Sequence, residues 1–125
     1  MRVLDSILTS IKLKVGLDEN YVVFDDVIID SINAAFFVLW QLGVGRDTTN
    51  PFRITDYSAT WNDFIDEGMA ESIRDYIGKR VKLVFDPPSN SFLVENIKTQ
   101  IEEDGWRLTV AMDEYRERKK AEERS

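Results

Sequence analysis

Residues 71–108, ESIRDYIGKRVKLVFDPPSNSFLVENIKTQIEEDGWRL, carry two helical patterns on either side of the turn Asp86-Pro87-Pro88-Ser89. Before the turn, Ile73, Tyr76, Ile77, Val81, Val84 and Phe85 recur at steps of three and four, which places them on one face of a helix. The opposite face is charged. Asp75, Lys79, Lys82 and Asp86 follow at the same spacing, with Asp75 one turn ahead of Lys79 in the order that stabilises a helix by about 0.3 kcal/mol. After the turn, Val94, Ile97, Ile101, Leu108, Ala111 and Tyr115 repeat with the three-four alternation of a helix packed along its length against another. Pro87 pushes Asp86 out of helical geometry and neither proline donates a backbone hydrogen bond, so the first helix ends there, and Ser89 is suited to cap the next. The stretch is predicted to be a helical hairpin. Gly105, inside its second arm, predicts a bend or break, since glycine costs about 1 kcal/mol relative to alanine in a helix.

Upstream, Leu4, Ile7, Leu8, Ile11 and Val15 form the stripe of a first helix, with Lys12 and Lys14 near its C-terminal end and Gly16 as its stop, where Leu17 can fold back toward Ile11. A longer helix is predicted from Asp25, as its cap, to Leu42, with Phe24 stapled on Ile29. Ile28, Ile32, Ala35, Phe36, Leu39 and Trp40 give it a wide apolar face, which marks it as the expected centre of the bundle. Asp25, Asp26 and Asp30 read as helix-opening acids rather than a cation site, which needs oxygens converging from a loop.

Between these helices and the hairpin the periodicity breaks. Gly43 to Pro51 is turn chemistry, and Phe52-Arg53-Ile54-Thr55 alternates as a short strand does. Gly43 and Gly45 follow a helix instead of a strand, Thr48 stands where a third glycine belongs, and no Gly-Lys-Ser/Thr element exists, so a phosphate loop is not supported. A lone strand has no partner in this chain, which points to pairing with a neighbouring subunit. Thr60 to Ile65 reads as a short helical turn with Trp61, Phe64 and Ile65 on one side, either plugging the core or serving as an aromatic contact.

The whole composition narrows the chemistry. The 125 residues fit one domain, 43% apolar, with no run long enough for a membrane span; a soluble, intracellular protein is expected. There is no cysteine and no histidine, which removes thiolate chemistry, the commonest general base and the commonest transition-metal ligand. No metal, nucleotide or other cofactor is expected. The net charge of −7 repels nucleic acid and anionic membrane at long range. All of it lies on residues 1–112, because residues 113–125 hold five basic and five acidic side chains. The division expected is a helical domain over 1–112 and a charged C-terminal arm over 113–125, separable at Met112 without loss of the core.

The succession Ile7-Leu8-Thr9-Ser10-Ile11-Lys12, Ile32-Asn33-Ala34-Ala35-Phe36, Gln41-Leu42-Gly43-Val44-Gly45, Thr60-Trp61-Asn62-Asp63-Phe64-Ile65, Lys82-Leu83-Val84-Phe85-Asp86-Pro87-Pro88 and Trp106-Arg107-Leu108 resembles the small head-tail connector (adaptor, or head-completion) proteins of long-tailed double-stranded DNA phages and prophages. The resemblance covers nearly the whole chain; the arm after Met112 is longer than its pattern. It implies a non-enzymatic, all-helical virion subunit made in the host cytoplasm. It further implies a ring, expected to be twelvefold, beneath the portal protein. Such a ring joins the capsid vertex to the next neck or tail component and continues the channel through which DNA passes.

The expectation is therefore an all-α bundle of four to five helices with a long loop, one possible short strand and a charged helical arm. Phe52, Arg53, Ile54, Trp61 and Phe64 are the candidate subunit interface. Trp106, Tyr115, Arg116 and Arg118 are the candidate portal-binding residues, an aromatic and planar-cation mixture enriched at binding hot spots. Two rivals stand beside this. An acidic helical regulator that mimics DNA or blocks a basic partner would cluster its acids on one face, whereas these are dispersed. An enzyme using Lys98 with Glu102, Glu103 or Asp104 would have to work with carboxylates that point about 100° apart along a helix.

Overall fold

The computed structural model describes residues 6–65 and 67–124. These form five helices, α1 (Ile7–Lys14), α2 (Asp25–Gln41), α3 (Trp61–Phe64), α4 (Glu67–Phe85) and α5 (Ser91–Arg124), and among them no strand. The expected all-α bundle is found, and the alternation at Phe52 to Thr55 belongs to an extended loop.

Ser6 caps α1: its Oγ accepts the Thr9 amide at 3.2 Å and donates to the Tyr57 carbonyl at 2.6 Å, while the Ile7 amide donates to the Ala59 carbonyl. The start of the helix is thereby tied to the loop before α3, through an isolated antiparallel bridge between Ser6 and Thr60. Ile7, Leu8 and Ile11 are buried as their spacing requires; Leu4 lies outside the described residues. At the other end Gly16 sits at φ +86°, its amide donating to the Leu13 carbonyl and the Leu17 amide to that of Lys12. This double closure is repeated after α2, where Gly43 (φ +78°) donates to Trp40 and Val44 to Leu39, swinging Val44 into the core.

The opening of α2 differs from expectation. Phe24 holds the cap position without a side-chain capping bond, and Asp25 is the first helical residue. Its carboxylate pairs instead with the Lys12 ammonium at 2.9 Å, Lys12 being 2% exposed and also donating to the Glu19 carbonyl. Phe24 meets Tyr21 and Phe85 edge-on.

The helical hairpin is present, α4 ending just before the two prolines. Its cap is Asn90 rather than Ser89, with the Asn90 Oδ1 accepting the Phe92 amide at 2.8 Å. Ile73, Tyr76, Ile77 and Val81 are buried, but Val84, at the same spacing, is 67% exposed. Asp75 and Lys79 turn to other helices instead of each other: Asp75 pairs with Lys14 on α1, Lys79 with Asp104 on α5 at 2.6 Å. α4, not α2, is the central helix, because it packs against all four others.

α5 runs unbroken through Gly105. That position continues the series Ile101, Leu108 and Met112 facing α4, and a Cβ there would stand 3.5 Å from Leu42 Cδ1 and 3.6 Å from the Tyr76 ring. The glycine marks a close approach of Leu42 and Tyr76 to α5, and the helix continues through it.

Candidate functional site

The loop between α2 and α3 is held from within the chain. The Asn33 side chain, buried on α2, donates to the Ile54 carbonyl at 3.0 Å and accepts the Ile54 amide at 2.8 Å. One amide side chain thus does for Ile54 what a neighbouring strand would do, so the backbone at this residue needs no second subunit to satisfy it. Ile54, Trp61 and Phe64 are all buried in the monomer. Trp61 Nε1 donates to Ser10 Oγ at 2.8 Å, the Arg74 guanidinium lies over its ring, and Phe36, Phe52 and Phe64 form a triangle of rings with centroids 4.7–5.3 Å apart. Of the five candidate interface residues, only exposed Arg53 and half-buried Phe52 offer surface to a neighbour.

Two aspartates shape the outer loop. Asp47 is held below the usual carboxylate range chiefly by the Thr49 hydroxyl, then by the Thr49 amide, with Asn50 adding a weaker bond. Asp56 is lowered in the same way by the Ser58 hydroxyl and amide. Both carboxylates close turns.

The four arm candidates are not brought together. Trp106 stands on the outward side of α5, 69% exposed, and Arg118 is exposed further along. Tyr115 is half-buried against the core, with the Lys119 ammonium 5.6 Å above its ring. Arg116 reaches back to the end of α2, its Nη2 donating to the Gly43 carbonyl at 2.7 Å and the Gly45 carbonyl at 3.4 Å. The first turn past Met112 is thus stitched to the rest of the fold.

Of the depressions along α5, two lie against other helices over much of their lining. On one side a pocket of about 310 Å³ lies between α4 and α5, where the Lys79–Asp104 pair sits beside Met69, Leu108 and Ala111. On the other a trough of about 520 Å³ opens between α2 and α5 over α4, with Ala34, Ala35, Leu83, Val84 and Ile101 as its apolar lining and Asp30, Arg80, Lys98 and Glu102 on its walls. No sequence pattern singled out this trough; the exposure of Val84 on an otherwise buried stripe is what reveals it. Lys98 and Glu102 face the trough while Asp104 is engaged by Lys79 on the other side, so the carboxylates considered for acid-base work do not converge. Among the described residues no three acids gather as metal ligands, and no helix is long and apolar enough to cross a membrane.

No curated protein and no solved structure matches the chain. Residues 7–115, from the first turn of α1 to the point where α5 is stitched to the loop after α2, match the family described as phage connector protein. The residues that carried the resemblance lie within that span, and the chain belongs to the phage connector family, a family of structural proteins.

Proposed function

We propose that this protein is a neck component of the virion. It forms a ring, expected to be a dodecamer, beneath the portal protein, joins the capsid vertex to the next neck or tail component, and extends the DNA channel. The observation that carries the reading is the family match over 7–115. The physical chemistry agrees with it. The chain has uncovered apolar surface at Val84, Phe92 and Trp106, and a net charge of −7 with which phosphate can slide past the wall without sticking. The role asks for no catalysis, cofactor or membrane. Within the ring, Arg53 and the edge of Phe52 face a neighbouring subunit, and the far part of α5, with Arg118, faces the portal.

Electron microscopy and sedimentation of the purified protein, alone and mixed with the portal, test this directly. Closed rings seated coaxially on the portal are expected. A protein that remains monomeric and unbound at every ratio overturns the reading.

A further inference from the structure

Two features of one chain fit each other and cannot meet within it. The trough between α2 and α5 leaves Val84 67% exposed over half-buried Leu83, and its α2 wall includes exposed Ala34. At one end its walls close, since Leu42 Cδ1 lies 3.5 Å from where a Cβ on Gly105 would stand. On the outward face of α5, Glu103, Trp106, Val110 and Asp113 follow at steps of three, four and three, which makes them a single stripe. Trp106 is 69% exposed and packs in no part of the core. An uncovered tryptophan flanked by polar neighbours is the side-chain type on which binding energy concentrates.

We propose that the trough receives this stripe from a second copy of the chain, with Trp106 as the inserted side chain. The inference rests on the ring reading above and names a contact between subunits in addition to that of Arg53 and Phe52. The occupant is a second copy for two reasons. Trp106 follows Glu102 of the trough wall by one turn, about 40° around the same helix, yet it does not line the trough and stays 69% exposed, so the stripe runs beside its own trough without filling it. The charges also correspond: acids stand at both ends of the Trp106–Val110 pair, and Arg80 and Lys98 stand on the trough walls, Asp30 and Glu102 also being there. Neither cation has a close carboxylate at home: Arg80 lies over the Tyr76 ring at 5.7 Å and 3.4 Å from its hydroxyl, and Lys98 is 3.5 Å from Glu95 on the surface. Knob and hollow are two different patches of one chain, so copies can join head-to-tail, and contacts of that kind generate a ring when the rotation between copies closes.

The test uses the full chain with Trp106→Ala and, to fill the trough, Ala34→Arg; both sites are exposed, and unchanged circular dichroism and melting establish that the fold is kept. Each variant alone is expected to raise the half-assembly concentration at least about thirtyfold, the loss associated with a hot-spot aromatic. Mixed in equal amounts, they are expected to form a one-to-one dimer and nothing larger, because one copy retains the tryptophan and the other the open trough. Variants that assemble like wild type overturn this contact while leaving the ring reading standing, and variants that fail to pair when mixed show that Trp106 serves another partner. Wild type that never assembles, alone or on the portal, removes both. If Ala34→Arg does not fold, Ala34→Cys and Glu103→Cys replace it in a chain that has no cysteine of its own. A short bismaleimide then links the two copies only if stripe and trough meet, and absence of that link overturns the proposal.

Discussion

Asn33 holds Ile54 by both ends of its peptide pairing, one side-chain amide serving as acceptor at 2.8 Å and donor at 3.0 Å. Replacing Asn33 with alanine strands a buried N–H and a buried C=O, at about 1–3 kcal/mol for each group. A loss of about 2–6 kcal/mol in urea unfolding is expected. Asn33→Asp is expected to fall in the same direction, because a carboxylate accepts the amide but cannot donate to the carbonyl. A loss below about 1 kcal/mol in Asn33→Ala would mean that water enters and the loop is not held by this residue.

The Lys12–Asp25 pair is asymmetric, Lys12 being 2% exposed and Asp25 24%. Removing a partner costs most when the charge left behind is the buried one. Asp25→Ala should therefore destabilise by about 3 kcal/mol or more, and Lys12→Met by less, since Asp25 retains access to water. Equal losses in the two variants, compared in one denaturant series, would contradict this ordering.

The glycines separate by backbone and by space. Gly45 has φ +133°, and a Cβ on it would stand 2.9 Å from Phe64 Cε1, so Gly45→Ala should cost at least about 1–3 kcal/mol. Gly105 is helical and has room for a methyl group at 3.5 Å, so Gly105→Ala should gain up to about 1 kcal/mol, while Gly105→Leu overfills the gap between Leu42 and Tyr76. In thermal melts the Gly105→Ala variant is expected to unfold above wild type, and the Gly45→Ala and Gly105→Leu variants below it.

A chain ending at Met112 keeps every fully buried residue but loses half-buried Tyr115 and the Arg116 bonds to Gly43 and Gly45. Charge-assisted bonds of this kind contribute about 1.5–3 kcal/mol, so the shortened chain should be destabilised by at least that amount. Arg116→Ala in the full chain should show most of the same loss. Unfolding curves that coincide with wild type in both cases would show the arm to be energetically independent.

The Asp47 turn has a defined pH signature. Its folded carboxyl titrates below the ordinary value of 3.8, so its contribution is fully present above that value and is lost only as pH falls through the lower folded one. Followed by NMR, the Thr49 amide should shift with a midpoint below 3.8, and Asp47→Asn should abolish the transition. A midpoint at or above the ordinary value would mean that the turn is open in solution.

Much of this architecture was legible because long amphipathic patterns report which face is buried, whatever lies opposite. The hairpin, the glycine stops of α1 and α2 and the aromatic plug at Trp61 follow from local chemistry alone. What escaped depends on atoms distant in the chain. The alternation at Phe52 to Thr55 reads as a strand because nothing in a sequence signals that Asn33, 21 positions away, will satisfy the backbone. Asp75 and Lys79 have the spacing of a pair, yet Lys14 and Asp104 come nearer once the helices pack. Asn90 and Ser89 are both good caps, and only geometry selects between them. Gly105 was misjudged as a bend or break, because a helix-interior glycine reads the same whether it breaks the helix or, facing inward with Ile101, Leu108 and Met112, lets another element come close. Among the candidate contacts, Trp106 is exposed, whereas Arg116 is drawn inward by carbonyls that only the fold places beside it.

The unbroken course of α5 has a mechanical consequence. Its 34 residues span about 51 Å, and it springs from a turn stiffened by two adjacent prolines. A rod of that length pivoting by about 5° at its base carries its tip about 4 Å sideways, roughly a full side chain's reach. The Arg116 stitch pins the helix about two turns before its end, so Trp106 and the trough walls, which lie nearer the base, stay in register. A helix held at two widely spaced points transmits a load along its length as a strut does, so a push on either end is felt at the other.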